Sequence, residues 1–282
     1  MKVNCITPIK FNNYSAQYKN IEKESVSQEF YSNKMPNAEL LQSYNNISFG
    51  KTLRKNLMSD IQREEYLKKM KIDFKRNEKG EYILSSFRTP TKEDKIKSAD
   101  LSGIFDKVIE IEGNANFDFS EDFSLGKLKK IGGNASFKHS GISDLKNLEI
   151  IKGNADFSHS QVQNTGALKN ILGDANFQHS ILKSLNNIER IRGNANFQNS
   201  KITDFGNLKK IGGNAYFKGC KAKSLDNIEL IYGNAYFGYS NIKDLGKLRF
   251  VKYHADFNNS KVPYYQKAPF IKTSELRRKD LI

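Results

Sequence analysis

The apolar residues between Ile111 and Asn258 recur with a fixed period of 20 residues. With the residues at 111, 131, 151 and so on counted as position 1 of each turn, the pattern is I-x-G-N-A-x-F-x-x-S-x-I-x-x-L-x-x-L-x-x, over seven full turns and a degenerate eighth. Ala at position 5 and Phe at position 7 occur in all eight turns. Such a period without insertions is typical of a solenoid, in which stacked turns bury a continuous core.

Two kinds of segment are predicted within each turn. Positions 5 and 7 are two residues apart, so both side chains point to the same face of a short strand. The apolar positions 12, 15, 18 and 1 recur every three residues, which indicates an extended or 3₁₀-like return segment rather than a second strand. The predicted fold is therefore a repeat solenoid with one short parallel strand per 20-residue turn.

Two small residues in the repeat predict specific backbone contacts. Gly at position 3 indicates a backbone conformation or a close approach that a side chain would prevent. Ser at position 10 falls on the inner side, where its hydroxyl needs a hydrogen-bond partner, and the backbone of its own turn is the nearest source.

Written from position 15, the turn reads L-x-x-L-x-x-I-x-G-N-A-x-F-x-x-S-x-I, which resembles the leucine-rich repeat with its core L-x-L-x-x-N-x-L. In the second turn that core falls on Ala135, Phe137, Ser140 and Ile142. The resemblance covers residues 101–262, and the 20-residue period is similar to the short bacterial subclass. It implies a right-handed solenoid whose strand face binds protein partners. Because Ala and Ser replace core residues of that family, a flatter β-solenoid is the alternative.

The segment before the repeats is predicted to be a small α+β cap. Ser59 and Gln62 form a capping-box pattern that starts a helix ending near Lys71. Alternating apolar residues on both sides of Arg76–Gly80 predict a hairpin, and Thr91 is expected to cap a short helix through Lys97.

Four regions are therefore expected, and a short basic helix is predicted within the last of them, over Ser274–Ile282. They are a disordered polar leader (1–50), an N-terminal helix and hairpin cap (51–110), the solenoid (111–262), and a C-terminal cap with a basic tail (263–282).

Charge and composition narrow the function classes. The net charge is +15, but it divides into +5 for residues 1–110, +6 for 111–258 and +4 for 259–282, so it points only weakly to nucleic acid. The two cysteines, Cys5 and Cys220, match neither a disulfide framework nor a zinc site. The absence of an apolar run of ~18 residues argues against a transmembrane segment, and the first residues do not resemble a secretory signal.

The outward strand positions 6 and 8 vary in sequence, and we expect a partner to bind there. Tyr216 and Tyr236 follow each other at position 6, and a cluster of exposed tyrosines near a lysine is a plausible hot spot. Free variation on an unused surface, with tyrosine chosen for its strand preference, is the alternative. The predicted partner-binding residues are Tyr216, Tyr236, Lys218, Tyr232, Tyr239, Asn176, Asn196, Gln178, Gln198 and Asp156.

Three polar columns are predicted to be structural. His139, His159 and His179 share position 9, where a ladder projects the imidazoles in parallel instead of converging them on a metal ion. The Asn residues of position 4 are expected to form a hydrogen-bonded ladder. Position 19 alternates in sign from Lys129 to Arg249, which places opposite charges on neighbouring turns.

No catalytic residue, metal site or cofactor is predicted, because the sequence contains no nucleophile with a base and no phosphate-binding loop. We therefore expect a monomeric, non-catalytic protein-interaction module, with a bacterial effector as one form of it. Binding of a polyanion by the basic flanks and a purely structural role are the alternatives. The expected location is the cytoplasm, or outside the cell after export by a non-classical route.

Overall fold

The computed structural model describes residues 58–270, and residues 1–57 and 271–282 lie outside the described part. Between residue 58 and the repeats, the described chain contains two helices, three short strands and one 3₁₀-helix. They are α1 (Asp60–Lys69), β1 (Phe74–Arg76), β2 (Tyr82–Leu84), β3 (Phe87–Arg88), the 3₁₀-helix Lys92–Asp94, and α2 (Ser98–Phe105).

The repeats contain strands of two to four residues, and a short helical segment follows them. The strands are β4 (Val108–Ile111), β5 (Ala115–Asn116), β6 (Lys130–Ile131), β7 (Ala135–Ser136), β8 (Ile150–Ile151), β9 (Ala155–Asp156), β10 (Asn170–Ile171), β11 (Ala175–Asn176), β12 (Arg190–Ile191), β13 (Ala195–Asn196), β14 (Lys210–Ile211), β15 (Ala215–Tyr216), β16 (Leu230–Ile231), β17 (Ala235–Tyr236), β18 (Phe250–Val251) and β19 (Ala255–Asp256). The last elements of the described part are α3 (Tyr264–Lys267) and the 3₁₀-helix Ala268–Phe270.

These strands form two sheets, and the predicted parallel solenoid of 20-residue turns is confirmed. The first sheet has ten strands in the order β1-β2-β4, then the even-numbered strands to β18; the second has nine, from β3 and β5 through the odd-numbered strands to β19. Every pair between β4 and β19 is parallel with residues 20 apart in register, as for Ile151 and Ile171.

The first sheet includes a strand at positions 20 and 1 that the prediction of one strand per turn missed. In most of these two-residue strands only the position 1 residue is buried in the core, as Ile151 is. A single inward residue produces no alternation, so the three-residue spacing of positions 15, 18 and 1 concealed the strand.

A stack of phenylalanine rings from position 7 runs through the core, beside the buried Ala, Ile and Leu columns. Neighbouring rings lie 4.8–5.6 Å apart between centroids, with planes inclined by 4–18°. Phe87 of β3 continues the stack at 4.9 Å from Phe117. Because Phe87 is part of the cap, the same packing that joins the turns also joins the cap to the solenoid.

Position 3 lies where the backbones of neighbouring turns approach most closely. A Cβ atom on Gly153 would lie 2.3 Å from Asn134 Oδ1 and 2.6 Å from Asn134 N. Real Cβ atoms do not reach such distances, so the prediction of a close approach at this glycine is confirmed.

Position 16 adopts a left-handed backbone conformation in each of the seven full turns, with φ between 47° and 57°. Gly occupies it in alternate turns, beginning with Gly126 and Gly166, while Lys146, Asn186 and Asp226 adopt the same conformation between them. Glycine meets this requirement without the steric cost that a Cβ atom adds.

The position 4 side chains form the predicted ladder, and each one bonds to the backbone of the next turn. The side-chain Oδ1 of each turn accepts a hydrogen bond from the position 4 N–H of the following turn, at 2.6–3.1 Å, from Asn114 to His254. These bonds satisfy backbone donors at the bend between the two sheets.

The serines of position 10 are only in part hydrogen-bonded as predicted. Ser160 and Ser200 donate to the carbonyl oxygens of Phe157 and Phe197 in their own turns, at 2.8 and 2.9 Å. The buried hydroxyls of the other serines in this column have no partner among the described residues. These are Ser120, Ser140, Ser180, Ser240 and Ser260.

The predicted cap elements are present, with one difference. Ser59 and Gln62 form the capping box of α1, and β1 pairs antiparallel with β2 in the expected hairpin. After Thr91, however, a single 3₁₀ turn ends at Lys95, whose φ of 52° is left-handed, and α2 begins separately at Ser98. The predicted leader and the basic helix at Ser274–Ile282 lie outside the described residues.

We predict that the phenylalanine stack stabilises the middle turns more than the last one. Phe177→Ala should lower the free energy of unfolding by about 3–5 kcal/mol, because it removes a fully buried ring stacked on both sides. Phe257→Ala should cost less, since Phe257 is stacked only on Phe237 and is less buried. Urea unfolding of both variants checks this, and equal losses would contradict it.

A second prediction concerns the serine column. Ser160→Ala should destabilise the protein by about 1 kcal/mol, because it removes a buried hydrogen bond. Ser140→Ala should be neutral or stabilising, since the hydroxyl it removes is buried without a partner. Thermal unfolding distinguishes the two variants, and a larger loss for Ser140→Ala would show that its hydroxyl is in fact bonded.

Candidate functional site

A pair of stacked tyrosines lies on the outer face of the second sheet. Tyr216 and Tyr236 are direct partners in the register of β15 and β17, and their rings are parallel within 4° at 5.0 Å between centroids. Asn214 Nδ2 donates to Tyr216 Oη at 3.2 Å. Both residues are half-buried, so the stack holds two rings in a fixed position on the sheet surface.

A lysine and a third tyrosine lie beside this pair. Lys218 Nζ is 5.7 Å from the ring centroid of Tyr239, which is 66% exposed. Tyr239 has a left-handed backbone, with a φ of 55°, at the end of the strand segment of its turn. The structure thus places Tyr216, Tyr236, Lys218 and Tyr239 on neighbouring turns, and we call these four residues the tyrosine cluster.

Tyr232 lies apart from the tyrosine cluster. Its ring packs edge-on against Phe250 at 5.7 Å between centroids, and both residues belong to the first sheet side of their turns. The bend at Gly233 separates position 2 from the strand at positions 5 and 6, so nearness in sequence to Tyr236 did not indicate a shared surface.

The predicted polar binders at position 6 already have a structural role. The side-chain oxygens of Asp156, Asn176 and Asn196 accept hydrogen bonds from the backbone N–H two residues further on, at 2.8, 3.1 and 3.0 Å. Asn176 Nδ2 also donates to Asp156 Oδ1 at 3.2 Å. These side chains therefore stabilise the turn after the strand. A tyrosine at this position has no side-chain carbonyl or carboxylate oxygen that could accept the same backbone hydrogen bond.

The two glutamines at position 8 are half-buried, and their side-chain amides make no hydrogen bond within residues 58–270. Gln178 and Gln198 thus have free donors and acceptors on the same sheet face as the tyrosine cluster. Polar groups of this kind around an aromatic centre are typical of the rim of a protein interface.

The position 9 histidines form a stack that begins at an aromatic residue the sequence reasoning missed. Phe119, His139, His159 and His179 lie 4.9–5.1 Å apart between ring centroids. All four have left-handed backbones. Desolvation between its neighbours, and then the nearby charge of His139, lower the pKa of His159. No three metal-ligating side chains come together in the described region.

The sign alternation at position 19 produces exposed ion pairs between turns. Lys129 and Glu149 are 3.9 Å apart, and Glu229 and Arg249 are 3.3 Å apart. Exposed pairs of this kind contribute a few tenths of a kcal/mol each. They order the surface between turns and form no pocket.

Comparison of the chain with models of protein families, with characterised proteins and with solved structures gave no match. Among residues 58–270, no helix has the length and apolar character needed to cross a membrane.

The histidine stack predicts a pH dependence of stability. Because the pKa of His159 is lowered in the folded protein, protonation favours the unfolded chain, and stability should fall as the pH drops below the ordinary value of 6.5. His159→Asn keeps a residue suited to the left-handed conformation, as Asn199 shows in the same column. Between about pH 7.5 and pH 5, the melting temperature of the variant should fall less than that of the native protein.

An NMR titration of the imidazole proton signals measures the same effect directly. The midpoint for His159 should lie below 6.5. A midpoint at or above that value, or an unchanged pH dependence in His159→Asn, would contradict the role assigned to the stack.

Proposed function

We propose that this chain is a non-catalytic interaction module that binds a protein partner through the tyrosine cluster on the second sheet. The observation that supports this most strongly is the parallel stack of Tyr216 on Tyr236, held on an otherwise polar sheet face. In the other described turns of the array, position 6 holds Asn, Asp or Ser.

The energetics of tyrosine favour a binding role. A stacked, half-buried ring has already lost much of its rotamer freedom, so little further entropy is lost when a partner covers it. The ring adds apolar area and the hydroxyl adds a hydrogen bond, which is why tyrosine is enriched in hot spots. Lys218 adds a charge beside the rings, and Gln178 and Gln198 supply unpaired polar groups on the two preceding turns.

The resemblance of the turns to the leucine-rich repeat supports the same role, because that family uses its strand face to bind proteins. We include in the proposal a bacterial origin and a place in the cytoplasm or, after non-classical export, in a host or neighbouring cell. Comparing fractionation of the full chain with that of a chain lacking residues 1–50 tests the export part. Unchanged distribution without this segment would contradict it.

The binding proposal predicts a large effect of removing the stacked rings. Partners are captured from a lysate on the immobilised full chain and identified, and their affinities are then measured with purified proteins. Tyr216→Ala with Tyr236→Ala should weaken binding by about 2 kcal/mol or more, which is the scale of a hot spot. Circular dichroism should show that the double variant retains the fold.

A matched control is available in the same chain. Tyr264 and Tyr265 of α3 are also exposed but lie outside the sheets, so the double alanine variant there should bind with nearly native affinity. Equal affinities of the two double variants would rule out the tyrosine cluster as the binding site.

A further inference from the structure

The outer face of the first sheet carries a basic surface that the even distribution of charge along the chain concealed. Its outward residues come from positions 20 and 2, on either side of the inward residue at position 1. The acidic residues in these two columns are Glu110 and Glu112, at the N-terminal end, and they pair with Lys130 and Lys75 at 2.5 and 2.6 Å.

Beyond Lys130 the two columns contain cations and no acids. None of these cations has an ion-pair partner within the described chain. They are Lys152, Arg190, Arg192, Lys210 and Lys252.

Three of these cations form a group that we call the arginine cluster: Arg190, Arg192 and Lys210. Arg190 and Lys210 are direct register partners in β12 and β14, about 4.8 Å apart along the stack. Arg192 lies two residues after Arg190 on the same face, about 7 Å away. Like charges at this spacing repel one another, so a bound anion would stabilise this face.

The position 19 column beside the cluster does not neutralise it. Lys169 and Lys209 flank Glu189 on neighbouring turns. Over these turns the surface therefore carries five cations, these two lysines and the arginine cluster, against one carboxylate.

Two exposed aromatic rings continue the same columns towards the C-terminal end. Tyr232 and Phe250, which we call the aromatic pair, are 44% and 40% exposed and pack edge-to-face. Gly212 lies between Arg192 and Tyr232 in the position 2 column, so no side chain separates the cluster from the tyrosine ring.

We propose that the arginine cluster and the aromatic pair together bind single-stranded nucleic acid. Arginine offers a planar pair of donors to phosphate oxygens. Exposed aromatic rings provide a surface on which unpaired bases stack, and the combination of both is how proteins bind single strands without reading sequence.

The linear arrangement favours a single strand over an anionic membrane. The cluster and the pair follow one another along the stack, and the three strand steps from β12 to β18 span about 14 Å. Membrane attachment needs a broad apolar face that inserts into lipid. Apart from the aromatic pair, the apolar side chains of these columns are covered, since Ile150 and Leu172 are half-buried and Leu230 is buried.

This surface is distinct from the tyrosine cluster and from the basic flanks of the chain. It lies on the first sheet, whereas the tyrosine cluster lies on the second, and it involves neither the leader nor the basic tail. Loss of one activity should therefore leave the other intact.

The test measures fluorescence anisotropy of labelled oligothymidylate and oligouridylate of about 20 nucleotides with the full chain. With three phosphates neutralised, affinity should fall about 20-fold between roughly 50 and 200 mM salt. The triple variant Arg190→Gln, Arg192→Gln and Lys210→Gln should bind at least about tenfold more weakly at low salt, and its salt slope should be smaller by about 2.

The control triple variant changes Lys183, Lys201 and Lys243 to Gln. These exposed lysines belong to other columns, and the variant loses the same net charge. It should retain affinity within about threefold, since only the general charge term changes. A double variant with Tyr232→Ala and Phe250→Ala should lose at least about fivefold in affinity with an unchanged salt slope, because it removes stacking and no phosphate contact.

Several outcomes would overturn the proposal. One is no binding of either oligonucleotide at low salt, and another is an equal loss in the two triple variants. A third is binding of vesicles containing phosphatidylserine, or of polyglutamate, as tightly as the oligonucleotides and without dependence on the aromatic pair. The second would indicate attraction by net charge alone, and the third would indicate a membrane or an acidic protein as the partner.

Discussion

The exact register of one turn on the next is the constraint on which the rest of this structure depends. A displacement of 20 residues superimposes phenylalanine on phenylalanine and glycine on glycine, so backbone hydrogen bonds and ring stacking reinforce each other at every step. An insertion of one residue in a turn would turn inward side chains outward. This explains why the period continues without interruption while outward positions 6 and 8 vary in sequence.

Many polar residues of the outward columns form hydrogen bonds that maintain the turns, whereas a few outward residues make no such bonds. Asp156, Asn176 and Asn196 bond to their own backbones, and the position 4 residues bond to the next turn, so much of the polar surface maintains the turn geometry. Tyr216 and Tyr236 do not fill this structural role. Such a departure is a better indicator of function than the polar residues that maintain the turns. Residues that maintain the turn geometry and residues that we propose to contact a partner therefore occupy the same columns in different turns.

The features that could be predicted from the sequence are those whose contacts recur in every turn or depend on local geometry. The inward columns of Ala135 and Phe137, the capping box at Ser59 and the position 4 ladder could be read from spacing, because each depends on local geometry or on an exact repeat. The strand at positions 20 and 1 could not, since it has one inward residue. The separation of Tyr232 from the tyrosine cluster, and the gathering of basic residues on one face, depend on the bend at position 3, whose direction no pattern of residue types specifies.

The alternating charges of position 19 have a consequence for how such an array can change in length. Loss of a single turn, residues 131–150, would bring Lys129 beside Lys169, whereas loss of two turns would bring it beside Glu189. The left-handed position 16 alternates between glycine and larger residues over the same two turns. Gain or loss of turns in pairs would preserve both patterns. Evolution could therefore move the proposed binding surfaces relative to the cap in steps of about 10 Å, two strand spacings, without disturbing the surface between turns.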